Sequence, residues 1–313
     1  CVDLAGQGEA FPRNGGWHAA RVIIAAQPLH EIVPLSRQND ATTAQWDMKV
    51  CEEFGLLKMD FLGLRTLTIL DDAVKMVAQR LGEEVDLAAI PLDDPAVYEL
   101  LRAADTEGVF QLESGGMRRL LGDLRPDCFE DVIAVLALFR PGPLGSGLHE
   151  VYARRKHGKE QVSFPHPLLE EVLRETYGVL IYQEQIMRVA QKMGGFTLNE
   201  ADTLRKAMGK KKRALMEPFE QPFLDGAGGR EVPQEVAREV WDMMVKFAEY
   251  GFNKSHSAAY ALVTYQAAYM KAHYRAEFYA SSFTHEAADS DKLRVLLEDA
   301  RRHGVEVLPP SVN

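Results

Sequence analysis

From Gly55 to Leu64 the chain reads Gly-Leu-Leu-Lys-Met-Asp-Phe-Leu-Gly-Leu. As a strand, this run places Leu56, Lys58, Asp60 and Leu62 on one face and Leu57, Met59 and Phe61 on the other. Upstream, the β-branched run Arg21-Val-Ile-Ile predicts a second strand, and Val33-Pro34-Leu35 an extended connection. Asp47 is placed to cap a short helix that ends at Gly55. Beyond Leu64 the apolar period becomes helical: Leu64, Leu67, Leu70, Val74 and Val77 lead to a stop at Gly82.

The same signals carry the helical pattern to the end of the sequence. Asp94-Pro95 starts a helix, Gly108 to Glu113 reads as a short extended segment, and Ser114 starts another helix. Pro126 to Phe139 predicts a buried helix halted at Arg140-Pro-Gly-Pro143, and Gly178 to Tyr182 a brief strand leading into a helix that runs to Gly194. Further helices are predicted over 198–208, 233–249, 255–273, 276–286 and 291–303, with 226–230 as a mobile loop. The fold class is therefore α+β, mainly α, with a small mixed unit over 1–64 and a large helical unit over 65–313.

Composition narrows the class without naming a function. Of 313 residues, 46% are hydrophobic and 26% charged, as in an ordinary globular protein with enough chain for a sizeable core. Cys1, Cys51 and Cys128 match no disulfide or zinc spacing, which predicts a reducing, cytoplasmic setting. No apolar run reaches spanning length and no signal segment is legible, so no membrane role is expected. A net charge of −10 argues at first against a nucleic-acid partner. Its distribution reverses the argument. Every charged residue from Thr203 to Arg213 is basic (Arg205, Lys206, Lys210, Lys211, Lys212 and Arg213), so one positive element lies on an acidic body.

Three stretches carry candidate chemistry. On the 55–64 strand, Lys58 and Asp60 share a face in an apolar run and each needs a partner. A structural Lys–Asp pair meets that need, and so does a metal-binding carboxylate beside a phosphate-binding lysine. In Leu204-Arg-Lys-Ala-Met-Gly-Lys-Lys-Lys212, Ala201, Leu204 and Met208 form an apolar stripe that leaves Arg205 and Lys206 directed outward. Those cations suit a ligand phosphate and equally suit the negative end of the helix dipole. In Tyr250-Gly-Phe-Asn-Lys-Ser-His-Ser-Ala-Ala-Tyr260, Asn253 or Ser255 can cap a helix whose apolar face is expected at Ala258, Leu262, Tyr265, Tyr269 and Ala272. Lys254 and His256 beside that N-terminus make an anion site, or a capped core helix with an incidental histidine. Arg140 suits a phosphate or a turn, and His18 a core position.

Lys58-Met-Asp-Phe-Leu-Gly-Leu-Arg-Thr-Leu67 resembles the signature of the bacterial replicative DNA polymerases of the C family, the alpha subunit of polymerase III. The two later stretches resemble segments of the same family, as do Gly108 to Met117, Phe139 to Leu144 and Tyr182 to Gln185, all in the same order. The likeness runs from about Phe11 to Pro310. It implies that 1–64 is the second part of a nucleotidyltransferase-like palm and 65–313 the helical fingers. It implies DNA-templated transfer of deoxynucleotides to a primer 3′-hydroxyl, with primer-template DNA and deoxynucleoside triphosphates as partners and two Mg2+ ions as cofactor. By the same likeness Asp60 is a metal-binding carboxylate, and Lys58, Arg205, Lys206, Lys254 and His256 contact the nucleotide. Lys210, Lys211 and Lys212 follow the DNA backbone.

Departures from the family pattern qualify this expectation. The paired aspartates that supply the family's other palm carboxylates do not precede Asp60, and the regions that contact other replisome subunits are missing, so the chain reads as a fragment with little activity alone. The alternatives are a non-catalytic nucleotide- or DNA-binding module and a helical assembly scaffold. Lys206 stands where an arginine is usual, which keeps the charge but loses the bidentate fork. Arg21 stands where a small residue is usual. Pro218 and Pro222 fall inside a family helix at a cost of roughly 3 kcal/mol for an interior proline, which predicts a shortened or irregular element there.

Overall fold

The computed structural model describes residues 20–38, 41–61, 63–209, 215–248 and 250–309. The chain divides into two compact units, Cys1–Leu64 and Arg65–Asn313, each of which is described by itself.

In the first unit, β1 (Arg21–Ile24) pairs antiparallel with β4 (Leu57–Asp60), setting Arg21 opposite Asp60 and Ile23 opposite Lys58. Between them in sequence lie β2 (Leu35–Gln38) and β3 (Ala41–Ala44), an antiparallel pair of their own, and α1 (Met48–Glu53). The β2–β3 pair replaces the extended connection expected after Pro34. Asp47 caps α1, accepting from the backbone N–H of Lys49 at 2.8 Å and of Val50 at 3.1 Å, and Gly55 takes the positive φ of 75° that reverses the chain into β4. The small core consists of Val33, Cys51 and Leu56, with Ile23, Leu29 and Trp46 against it. This core lies on the Ile23 side of the β1–β4 sheet, where Lys58 also points. The more apolar face, with Val22, Ile24, Leu57, Met59 and Phe61, is exposed. The strand alternates as its sequence requires, but the face chosen for packing is the opposite of the one that hydrophobicity alone favours.

The second unit is helical. Its elements are α2 (Arg65–Leu81), α3 (Pro95–Arg102), α4 (Gly115–Leu124), α5 (Phe129–Leu138), α6 (Pro141–Gly145), α7 (Leu148–Lys156) and α8 (Glu170–Leu173). After them come α9 (Gln183–Lys192), α10 (Leu198–Gly209), α11 (Glu217–Gly228), α12 (Gln234–Phe247), α13 (Lys254–His273), α14 (Arg275–His285) and α15 (Ser290–Arg302). Asp94, Ser114, Asn253 and Asp289 cap α3, α4, α13 and α15 with side-chain oxygens. Neither expected strand of this unit forms. Residues 107–111 are turns and a bend, with Gly108 and Gln111 at positive φ, residues 112–113 are irregular, and residues 178–182 contribute a single bridge from Tyr182 to Phe252. Among the described residues no strand lies alongside either segment to complete a ladder.

Two cores fill this unit. One gathers α2 to α5 and the last three helices; the other gathers α8 to α12 around Phe223, Trp241 and Phe247. The helix α13 lies against α2, α3, α5 and α14 and is buried on several sides. Its inner positions are Ser257, Ala261, Thr264, Tyr265, Ala268 and Lys271, while Leu262 of the expected apolar face is exposed. Small and hydrogen-bonded side chains let four neighbours approach, so residue size and polar partners set the buried surface here. Lys271 is fully buried. Its Nζ donates to Asp299 Oδ2 at 2.7 Å and to the Glu107 carbonyl at 3.0 Å, and Tyr279 donates to the same Asp299 oxygen at 2.5 Å.

The helix α11 continues through Pro222 to Gly228, so the element is not cut short and Gly226 to Gly228 are helical. Pro218 sits in the first turn, where its missing N–H has no intrahelical partner to lose. The backbone bond that Pro222 forgoes is offset by burial of Phe223, Leu224 and Ala227. Gly226 meets Gly194 backbone to backbone: a Cβ on Gly226 would stand 1.8 Å from the Gly194 carbonyl oxygen. These glycines serve close packing of α11 on the end of α9, not a loop.

Gly226→Ala is expected to cost about 1–3 kcal/mol in urea unfolding through forced separation of the two backbones. Gly228→Ala, with nothing within 4 Å of the added Cβ, should show no loss. A pH dependence follows from Asp105, whose carboxyl burial alone would raise; Lys271, His303 and Arg302 outweigh that burial and hold it below the usual range. A carboxyl depressed in the folded state stabilises above its unfolded pKa, and the contribution disappears as pH falls through the folded value. Thermal stability should therefore decline below about pH 4, and Asp105→Asn should flatten that decline.

Candidate functional site

Lys58 and Asp60 emerge from β4 on one face, as their spacing requires, yet they do not pair with each other. Arg21, opposite Asp60 in the register, places Nε 2.9 Å from Asp60 Oδ1. Lys58 Nζ lies 3.5 Å from Glu52 Oε1 and 2.8 Å from Met48 Sδ, so α1 takes the lysine. The Asp60 side chain is 40% exposed rather than sunk in an apolar run, so its charge is solvated as well as paired. The residue that departs from the family pattern, Arg21, thus supplies the cation that Asp60 needed.

The other candidate cations belong to the helical unit. Ala201, Leu204 and Met208 are buried, as the α10 stripe predicts, and Arg205 and Lys206 flank it. Both basic groups converge on Asp202. Arg205 Nε and Nη2 each lie 2.9 Å from Asp202 Oδ1, and Lys206 Nζ lies 2.7 Å from Oδ2. Hydrogen bonds from Lys206 and Arg205 hold the Asp202 carboxyl below the usual carboxylate range. Lys210, Lys211 and Lys212 lie outside the described residues, as does His18.

At the start of α13, Asn253 Oδ1 accepts from the His256 N–H at 2.8 Å and from Ser255 Oγ at 2.6 Å. Glu184 Oε2 accepts from the Lys254 N–H at 2.9 Å. Two acceptors of the protein itself therefore occupy this helix N-terminus, and an anion would meet the side chains before the backbone. Lys254 Nζ lies 2.7 Å from Glu175 Oε2 and 5.4 Å from the Tyr182 ring centre. His256 is exposed and stacks on Tyr260, with ring centres 4.4 Å apart. Arg140 is the residue before α6; its side chain makes no cap hydrogen bond there, and its guanidinium carbon lies 4.4 Å from the Phe252 ring centre.

Among the described residues, no cluster of three ligating side chains includes Asp60; such clusters occur at Asp105/Asp299/His303 and at Asp127/Cys128/Asp131. Both already hold cationic side chains. Lys271 and Arg302 neutralise the first. In the second, Lys156 Nζ lies 2.7 Å from both Asp127 and Asp131, and burial with Asp131 pushes the Cys128 thiol up to about 12.

The chain matches two family models: residues 66–231 the bacterial DNA polymerase III alpha subunit finger domain, and residues 1–63 the bacterial DNA polymerase III alpha NTPase domain. The chain belongs to the DNA polymerase III alpha-subunit family. It is 52% identical to DNA polymerase III subunit alpha of Aquifex aeolicus, over 100% of this chain and 27% of that protein. Identity to the Mycobacterium leprae subunit is 49%, over 97% and 26%, and to the Escherichia coli K12 subunit 46%, over 100% and 28%. The chain thus spans about a quarter of the length of these alpha subunits. No helix among the described residues is long and apolar enough to cross a membrane.

The sequence pattern singles out the cations more readily than the acids that partner them. Asp202 was legible, since it stands three and four residues before Arg205 and Lys206. Glu175 was not, because 79 residues separate it from Lys254.

Exposed pairs contribute little to stability, which leaves Asp60 available to another partner. A double-mutant cycle on Arg21→Ala and Asp60→Ala should return a coupling below about 1 kcal/mol in denaturant unfolding; a larger coupling would assign Asp60 a structural role instead.

Proposed function

We propose that the chain is part of a DNA-templated DNA polymerase, contributing one metal-binding carboxylate and the cations that receive the incoming nucleotide. The observation that carries this reading is the outward-facing Arg205–Lys206 pair on a helix whose opposite stripe is buried, in a chain about half identical to polymerase alpha subunits over its full length. In the reaction, the primer 3′-oxygen attacks the α-phosphorus of a deoxynucleoside triphosphate, the bond to the bridging oxygen breaks, and pyrophosphate departs. Arg205 presents a planar fork to phosphate oxygens and Lys206 a point charge. Lys58, Lys254 and His256 line the nucleotide, and Lys210, Lys211 and Lys212 track the DNA backbone without reading sequence. By this reading residues 1–64 are palm and 65–313 fingers, working in the cytoplasm with further replisome subunits.

Asp60 fits Mg2+ as one hard oxygen ligand and no more, because none of the three-ligand clusters among the described residues includes it. A pair of Mg2+ ions would supply Lewis-acid activation of the attacking oxygen and charge relief for the leaving one, given carboxylates beyond Asp60. That same solitary carboxylate favours a second reading, a nucleotide- or DNA-binding module without chemistry of its own.

The two readings separate in one set of assays on the 313-residue chain. Primer extension should be absent or weak, and robust Mg2+-dependent extension lost in Asp60→Ala would establish full catalysis by the chain itself. Nucleotide binding that survives Asp60→Ala but weakens in Arg205→Ala supports the binding role. Binding of neither nucleotide nor DNA would leave a scaffold.

A further inference from the structure

The basic groups assigned to phosphate are not waiting empty. Asp202 engages Arg205 and Lys206 at once, one carboxylate oxygen to each. Both bonds of the guanidinium edge, from Nε and Nη2, go to the single oxygen Oδ1 at 2.9 Å, while Oδ2 takes the ammonium at 2.7 Å. A carboxylate and a phosphate offer an arginine fork the same kind of acceptor, two or more anionic oxygens held at a fixed separation. The spacing 202, 205, 206 places the three side chains on adjacent turns of α10, and burial of Ala201 and Leu204 anchors the helix beneath them.

We propose that Asp202 is an internal competitor for the ligand's phosphate, holding Arg205 and Lys206 aligned and partly neutralised until a polyphosphate displaces it. The inference rests on the reading of α10 as a phosphate-binding element and adds the residue that sets its affinity. Three observations favour exchange over a fixed structural pair. The Asp202 side chain is 33% exposed, Arg205 28% and Lys206 66%, so none of the three is sealed from solvent. Exposed ion pairs are weak, so displacement is not opposed by a large loss. An exposed carboxyl is already ionised at neutral pH, and hydrogen bonds from Lys206 and Arg205 lower its value further, so Asp202 competes as an anion throughout the physiological range. With Asp202 in place the three side chains carry a net charge of +1 (two cations and one anion); substitution by a neutral residue leaves +2 facing the ligand. Lys254 is covered in the same manner by Glu175 at 2.7 Å, a third cation held by an acid of the same chain.

The consequence is a moderated grip. A site that must release pyrophosphate after each addition gains from cations that have somewhere else to go. Asp202 supplies that alternative partner from the same helix, so a departing phosphate is replaced without the site standing charged and unpaired.

The test is a titration of the purified 313-residue chain with inorganic tripolyphosphate and with magnesium dATP, followed through the Arg205 side-chain Nε–H signal by NMR, which detects millimolar binding. Asp202→Asn and Asp202→Ala should each bind tripolyphosphate about three- to tenfold more tightly than the parent chain, the worth of two exposed ion pairs plus relief of one repulsion. The gain should shrink in high salt. Arg205→Ala should weaken binding, read through the backbone signals of α10, and the Asp202→Asn/Arg205→Ala double variant should not recover the gain. Unchanged or weaker binding by both Asp202 variants, with Arg205→Ala still impaired, would overturn the competitor role and make Asp202 a positioning residue. Unimpaired binding by Arg205→Ala would instead remove the phosphate-binding reading of α10 itself. Absence of binding in all variants would remove both.

Discussion

A helix enclosed on several sides must find partners for every polar side chain it buries, and α13 meets this constraint by reaching into chain segments on either side of it in sequence. Ser257 donates to the Ile133 carbonyl at 2.7 Å, Thr264 to that of Phe110 at 3.1 Å, Tyr265 to that of Pro91 at 2.9 Å and Gln266 to that of Leu87 at 3.0 Å. Lys271 closes the series on Asp299 and Glu107. Each acceptor is a carbonyl or carboxylate that would be left unsatisfied if the helix shifted by one residue, so the bonds define position as well as stability. Turns such as 106–112 are held in place by the helix they serve, which explains how irregular backbone survives beside the core.

The candidate ligand-binding groups follow from this scaffold in different ways. Lys254 and His256 are the first residues of α13 and of the turn its buried body fixes. Arg205 and Lys206 depend on the neighbouring core, because the α10 stripe of Ala201, Leu204 and Met208 must be buried before the opposite edge can point outward. In the first unit the placement of Asp60 comes from strand register, which sets Arg21 directly opposite it.

A common electrostatic pattern links these groups. Lys58 has Glu52, Arg205 and Lys206 have Asp202, and Lys254 has Glu175, while Asp60 has Arg21. An acidic chain of net charge −10 offers many carboxylates, and an unpaired cation near them draws one in. Pairs of this exposure are weak, so the pattern lowers the local charge without locking the side chains.

Much of the second unit was legible along the chain. Asp94-Pro95, Ser114, Asn253 and the glycine at 82 marked helix ends because capping is decided by a few neighbouring residues. The α10 stripe was legible because helical period alone places Ala201, Leu204 and Met208 together. Likeness to a polymerase family was carried by ordered motifs that need no coordinates. Three features belonged to the tertiary structure alone. The β1–β4 sheet packs its less apolar face because α1 docks there, a choice no alternation pattern contains. Gly226 reads as a loop residue until Gly194 is brought against it. Leu262 is exposed on α13, while Lys271 is buried, because what surrounds a helix, and the partners waiting there, decide burial at each position. Local sequence determines which backbone forms; pairing, and therefore the charge state offered to a ligand, depends on residues many tens of positions apart.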